Sequence, residues 1–373
     1  MRHTSNELYV DIIENLSVII APSGRLISAL SHGTIAFNCK VSGIPDLLLT
    51  LSAPGGKASV SRAIEDPVFH PCVRLARWRE RPGELSFVPP DGRFILASYS
   101  VDLLPENSFD VDAIGPNVRI PATTEIRTCL GAQGTDFDVE LTVSDQFRKG
   151  PSSVGSSQVT AGSVQSGLGA RISATSTAFG ANGGNSAQPL LETLSVSIPV
   201  PDTVRNISDL HATKGEARYS PAESAIEWSI GSRDINSVVA AGKARLRCSV
   251  VGPVDEINEE EGHAAAVNGQ SLRSNTFEYT DDEPYQATNI AMPEDNDTDK
   301  SKPKGTKSIK QNALLMPTSA TVSFSVKGWL ASGLKVDSLT INTKASKGLG
   351  AGVTPYKGVK YLTVSRKSVE VRC

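Results

Sequence analysis

The sequence predicts an all-β protein. Several segments alternate apolar and polar residues with a period of two, as strands with one buried and one wet face do. No long stretch carries a convincing 3.6-residue period. Two long polar segments interrupt the alternation and carry few large apolar residues that could build a core.

The first candidate strand, Asn6 to Asp11, puts Leu8 and Val10 on one side and Tyr9 and Asp11 on the other. From alternation alone, Leu8, Val10 and Ile12 are plain core residues and Asp11 is a solvated charge. Gly33 to Val41 sets Ile35, Phe37, Cys39 and Val41 against Ala36, Asn38 and Lys40. Phe69, Val73, Leu75 and Trp78 read as a strand beside a hairpin. That hairpin runs from Leu85–Val88 through Pro89-Pro90-Asp91-Gly92 into Arg93–Tyr99. The prolines hold φ near about −65° and Gly92 can take a positive φ, so the four residues favour a reversal. Beyond the turn, Phe94, Leu96 and Ser98 face one way and Ile95, Ala97 and Tyr99 the other. Further strands follow over Asp136–Val143, Leu194–Val200, Ala244–Val250 and Ala320–Val326.

The interrupting segments are Lys149–Gln188, rich in Ser, Gly, Ala and Thr, and Gly252–Asn312, which is charge-segregated. The first cannot bury enough surface to offset the entropy of ordering and is expected to be disordered. The second holds acidic clusters at 259–261, 281–283 and 294–299, then Lys300, Lys302, Lys304, Lys307 and Lys310. It reads as a solvated loop, with a regulated acidic tract or a lysine contact to an anionic lipid surface as the sharper alternative.

Composition removes several function classes. The chain has 373 residues, 37 basic and 40 acidic, and a formal charge of −3, which gives no reason to expect non-specific nucleic-acid binding. Cys39, Cys72, Cys129, Cys248 and Cys373 are odd in number and far apart, as suits buried thiols in a reducing cytosol. No apolar run approaches the roughly 20 residues needed to span a bilayer, and Met1–Ser5 opens no signal peptide, so any membrane association is expected to be peripheral. None of the five histidines has metal-ligand spacing, and no nucleophile elbow, P-loop or kinase signature is present. Gly348-Leu349-Gly350-Ala351-Gly352 has no helix pattern after it and reads as a loop rather than a phosphate cradle. No enzymatic activity, metal or cofactor is expected; what remains is binding.

Five stretches in order carry a resemblance: Asn6-Glu7-Leu8-Tyr9-Val10-Asp11, Phe69-His70-Pro71-Cys72-Val73-Arg74-Leu75, Phe87-Val88-Pro89-Pro90-Asp91-Gly92-Arg93-Phe94, Ser332-Gly333-Leu334-Lys335-Val336 and Lys357-Gly358-Val359-Lys360-Tyr361. Together they resemble the mu homology domain of clathrin-adaptor medium subunits. The FHPC, RW and KGVKY variants look most like the AP-3 branch. The resemblance implies two β-sandwich subdomains, the second inserted into the first. Subdomain A would comprise about 6–147 plus 331–373, and subdomain B about 189–330, with 149–188 and 252–312 as insertions. The family's preceding longin-like domain has no counterpart in this sequence. The resemblance also implies a cytoplasmic adaptor-complex subunit, peripheral on Golgi and endosomal membranes and vesicles. Its partners would be other adaptor subunits and cargo tails bearing Tyr-x-x-Φ, where Φ is bulky and apolar, on their way to the vacuole or lysosome.

The resemblance further assigns the site, one residue at a time. Tyr9 takes the position packing on the signal tyrosine ring, Asp11 accepts its hydroxyl, and the stem of Lys360 flanks the ring. Leu8, Val10, Val336, Leu339 and Val359 match positions lining the Φ pocket. A buried phenol needs a partner, and a carboxylate makes a stronger one than a neutral acceptor. A phosphotyrosine would bring a second anion against Asp11. Asn38 stands where the endocytic branch has lysine, and Gly358 where it has tryptophan; the glycine agrees with AP-3. A shallower, weaker site is the expectation. The alternatives are a coat-assembly domain that reads no signal and a peripheral lipid-binding domain.

Overall fold

The computed structural model describes residues 3–104, 118–148, 189–252, 312–349 and 354–373. The two long polar segments lie outside these residues, save Gly252 and Asn312 at their margins. In chain order the first eight strands are β1 (Glu7–Ile20), β2 (Leu26–Lys40), β3 (Leu47–Ser52), β4 (Glu65–Phe69), β5 (Glu84–Phe87), β6 (Gly92–Asp102), β7 (Ala122–Leu130) and β8 (Asp136–Val143). The others are β9 (Leu190–Pro199), β10 (Asn206–Ala212), β11 (Glu216–Ser220), β12 (Ala225–Ile230), β13 (Lys243–Val251), β14 (Ser319–Lys327), β15 (Lys335–Ile341) and β16 (Tyr356–Arg372). The α-helices are short: α1 (Val60–Ala63), α2 (Leu75–Glu80), α3 (Asp145–Arg148) and α4 (Ser232–Ala241).

The all-β reading holds, and the alternation explains it. Ile35, Phe37, Cys39 and Val41 are buried, as are Phe137, Val139, Leu141 and Val143, and Ala320, Val322, Phe324 and Val326. The strands form a nine-stranded sheet ordered β11-β12-β9-β14-β16-β1-β2-β6-β4, a four-stranded sheet β10-β13-β8-β7 and a three-stranded sheet β15-β3-β5. The even positions of β1 from Leu8 to Ile20 are all buried, so one face of the long sheet is covered along its length. Leu8, Val10 and Ile12 join a core with β3, β5 and β15, whereas Leu16, Val18 and Ile20 join a second core with β7, β8 and β13. Two sandwiches therefore share one long sheet, and β1 and β16 run through both.

Three local expectations are corrected. Leu85–Phe87 and Gly92–Tyr99 do not form a hairpin: β5 pairs with β3, while β6 pairs with β2 and β4 in the other layer. Pro89, Pro90 and Gly92 (φ 86°) carry the chain from one layer to the other. Leu75–Glu80 is helical rather than extended because Leu, Ala, Arg and Glu are strong helix formers; Phe69 and Trp78 still meet, with ring centroids 5.0 Å apart. Finally, β7 and β8, which the sequence reading gives to the first subdomain, pair with each other, β8 also pairs with β13, and both face the second core.

One polar group sits between the two cores. Glu14 is fully buried and accepts hydrogen bonds from Tyr99 Oη (2.8 Å), Ser332 N–H (3.0 Å) and the Ser332 hydroxyl. The carboxylate is satisfied by three donors, so its burial is tolerated. Tyr99 lies so close over Gly33 that a Cβ there would meet its Cζ at 2.0 Å, which is why β2 carries a glycine.

Candidate peptide-binding site

β16 is paired on both sides for most of its length, but not at its start. β1 runs parallel to it from Tyr356 onward, whereas β14 pairs only with Leu362–Arg372. Tyr356 N–H donates to Asn6 O on the β1 side, and Gly328 N–H donates to Tyr361 O on the far side. Alternation between these two anchors aims the N–H and C=O of Lys357 and Val359 away from β1. Among the described residues no strand pairs with that stretch. It is an unpaired edge of the kind an extended peptide can join.

The outer face beside this edge carries the predicted tyrosine subsite. Tyr9 pairs with Gly358 and Asp11 with Lys360, so Tyr9, Asp11 and Lys360 share the face. Tyr9 and Asp11 are half-buried and Lys360 is exposed. Tyr9 lies over Gly358: a Cβ on that glycine would meet Tyr9 Cδ1 at 2.8 Å. The Tyr9 ring also leans on Tyr356, with centroids 5.8 Å apart. Partial burial, with Glu7 and Tyr356 beside it, pushes the Tyr9 phenol up from its ordinary pKa. Asp11 Oδ2 lies 3.7 Å from a guanidinium nitrogen of Arg93.

The inner side of the same edge carries the predicted Φ residues. Leu8 and Val10 are fully buried and Leu339 nearly so; Val336 and Val359 are half-buried and pack against the same core. Two side chains tie β15 beneath the edge. Lys357 Nζ donates to Leu339 O (2.6 Å), and Val336 N–H donates to Tyr361 Oη (2.9 Å). Burial lowers the Lys357 pKa and raises that of Tyr361. Val359 and Val336 are thus the reachable apolar surface, with Leu8, Val10 and Leu339 behind them. An apolar cavity under Phe69 and Trp78 lies elsewhere and measures about 10 Å³, roughly the space one water needs.

Sequence reasoning missed Lys357, Tyr361 and Arg93. Lys357 and Tyr361 were legible by parity, since they alternate with Val359 in KGVKY. Arg93 carried no local signal, because it reaches Asp11 only through the β1–β2–β6 pairing.

This arrangement, a long sheet covered by two smaller ones and led into by parallel first and last strands, is a mu homology fold. The chain belongs to the adaptor complexes medium subunit family, whose model matches residues 1–373. The AP-3 complex subunit mu of Dictyostelium discoideum is 35% identical over 149 residues, 39% of this chain and 33% of that protein. The human AP-3 complex subunit mu-2 is 45% identical over 101 residues, 27% of this chain and 22% of that protein. These matches thus span a third or less of the relatives' length. A full-length AP-3 complex homology model in an intermediate open conformation shares the fold at a TM-score of 0.51 and 18% identity, covering 100% of this chain and 69% of that one. No described helix is long and apolar enough to cross a membrane.

Proposed function

We propose that the chain binds Tyr-x-x-Φ segments of cytosolic tails as the cargo-reading part of an AP-3-like medium subunit, by reversible capture with no covalent chemistry. The observation that carries this reading is the parity of the open edge. Residues i and i+3 of an extended peptide point to opposite faces. A peptide added to Lys357–Val359 therefore presents its tyrosine to the outer face, where Tyr9, Asp11 and Lys360 lie. Its Φ side chain then turns to the inner side, toward Val359, Val336 and, behind them, Leu8, Val10 and Leu339. Main-chain hydrogen bonds supply affinity and the two faces supply specificity. With Gly358 in place of a large side chain and an inner subsite already packed, binding in the micromolar range or weaker is expected, about −8 kcal/mol or less favourable.

In this reading the chain works with other adaptor subunits, peripherally on Golgi or endosomal membranes, and directs cargo toward the vacuole or lysosome. The test is titration of a fluorescent Tyr-x-x-Φ peptide and its Tyr→Ala form into the 373-residue chain and its Asp11→Ala variant. Saturable binding lost in both changes supports the reading. Equal binding of both peptides, or none, overturns it and leaves coat assembly without signal reading.

A further inference from the structure

We propose that Arg93 is a second hydrogen-bond partner for the hydroxyl of the bound tyrosine, and so a specificity-determining residue of the site; this rests on the function proposed above. On the outer face Tyr9, Asn38 and Arg93 form one row and Asp11, Ala36 and Ile95 the next. The Arg93 guanidinium reaches Asp11 from two strands away, so its side chain must cross β2 in the neighbourhood of Asn38 and Ala36. Ala36 has no side chain beyond Cβ to obstruct that path. The tyrosine comes from the opposite direction, over β16, so its hydroxyl arrives at Asp11 facing the guanidinium.

The spacing suits an oxygen between them. At 3.7 Å the guanidinium nitrogen and Asp11 Oδ2 are too far apart for a direct hydrogen bond. A phenolic oxygen about 2.7 Å from the carboxylate and about 2.9 Å from the guanidinium closes a triangle on that base. The phenol then donates to Asp11 and accepts from Arg93, using both its capacities. A phenylalanine in its place leaves both charged groups without that partner, and such unpaired groups are what make a site reject the analogue. The side chain of Arg93 is 66% exposed and that of Asp11 28%, so the ion pair itself contributes little to folding and the arginine is dispensable for it.

The experiment compares a fluorescent Tyr-Ala-Ala-Leu peptide with Phe-Ala-Ala-Leu on the 373-residue chain and on its Arg93→Gln and Arg93→Lys variants, with thermal melts alongside. The wild type is expected to prefer tyrosine. Arg93→Gln should lower tyrosine affinity by about five- to tenfold and leave phenylalanine affinity within about twofold, the scale of one charge-assisted hydrogen bond. Arg93→Lys should recover part of the difference, because an ammonium also donates. An unchanged Tyr/Phe ratio in Arg93→Gln, or an equal loss for both peptides, overturns the inference while leaving the proposed function standing. A wild type that binds neither peptide overturns that function, and the inference with it, before any variant is read.

Discussion

Gly358 shows how one absent side chain shapes a site. Any Cβ there meets the Tyr9 ring, so Gly358→Ala must turn Tyr9 away from the edge. We expect peptide affinity to fall several-fold with little change in melting temperature. Glu140, away from the site, gives a pH prediction. Lys243 and Arg245 hydrogen-bond it and hold its carboxyl down at about 2. Its folded pKa lies below the unfolded value near about 4.3, so its stabilisation is present above that value and fades as pH falls toward 2. Glu140→Gln should cost about 1 kcal/mol at pH 7 and nothing at pH 2, measured by urea unfolding at both. Burial raises Cys39 to about 11 and Cys248 to about 12, whereas Cys129 is exposed. Maleimide labelling of the native chain should mark Cys129 and spare Cys39 and Cys248 until unfolding.

At the scale of elements, the open stretch of β16 makes a directional prediction. Val359 points its N–H to the edge and Lys360 points its own toward β1. Val359→Pro should therefore weaken peptide binding about tenfold and lower stability modestly. Lys360→Pro should cost far more stability, because it breaks the β1 ladder; melting curves and peptide titrations separate the two. Strands with strict alternation were legible in the sequence because parity alone places their faces. Tyr9 and Asp11 share a face by parity of that kind, whereas Lys360 is assigned by the resemblance and joins them through the β1–β16 register. The layer change after β5 was not legible, since a turn sequence does not say which sheet each arm joins. Ile35 of β2 pairs with Ala97 of β6 but Ala36 pairs with Ile95, so Leu96 is an extra residue and Leu96 and Ala97 are both buried, which simple alternation cannot give. α4 escaped notice because only Ile235 and Val238 of its ten residues are buried; Gly242 in the left-handed conformation at its end was the available signal.

At the scale of the molecule, Glu14 marks the place where one core gives way to the other. Glu14→Ala would leave the Tyr99 hydroxyl and both Ser332 donors buried without their acceptor. A loss of about 2–4 kcal/mol is expected in denaturant unfolding, with Glu14→Gln milder. The expectation of two sandwiches rests on the family resemblance and not on the strand pattern, which shows alternation but no grouping of strands. The assignment of β7 and β8 was not legible in the sequence, because it depends on the pairing of β8 with β13 about 100 residues later.

The parallel pairing of β1 with β16 has a consequence for synthesis. Glu7 pairs with Tyr356, 349 residues downstream. At about 5–20 residues per second, a ribosome leaves one flank of the first strand without its neighbour for tens of seconds. Through that interval β1 offers a nascent chain an apolar, half-dressed strand, a target for chaperones or for another copy's sticky edge. The strand that completes this flank of β1 is also the one whose free margin would receive peptide. Until β16 emerges the proposed edge does not exist, so on the function proposed above competence to bind peptide would follow β16 and not precede it.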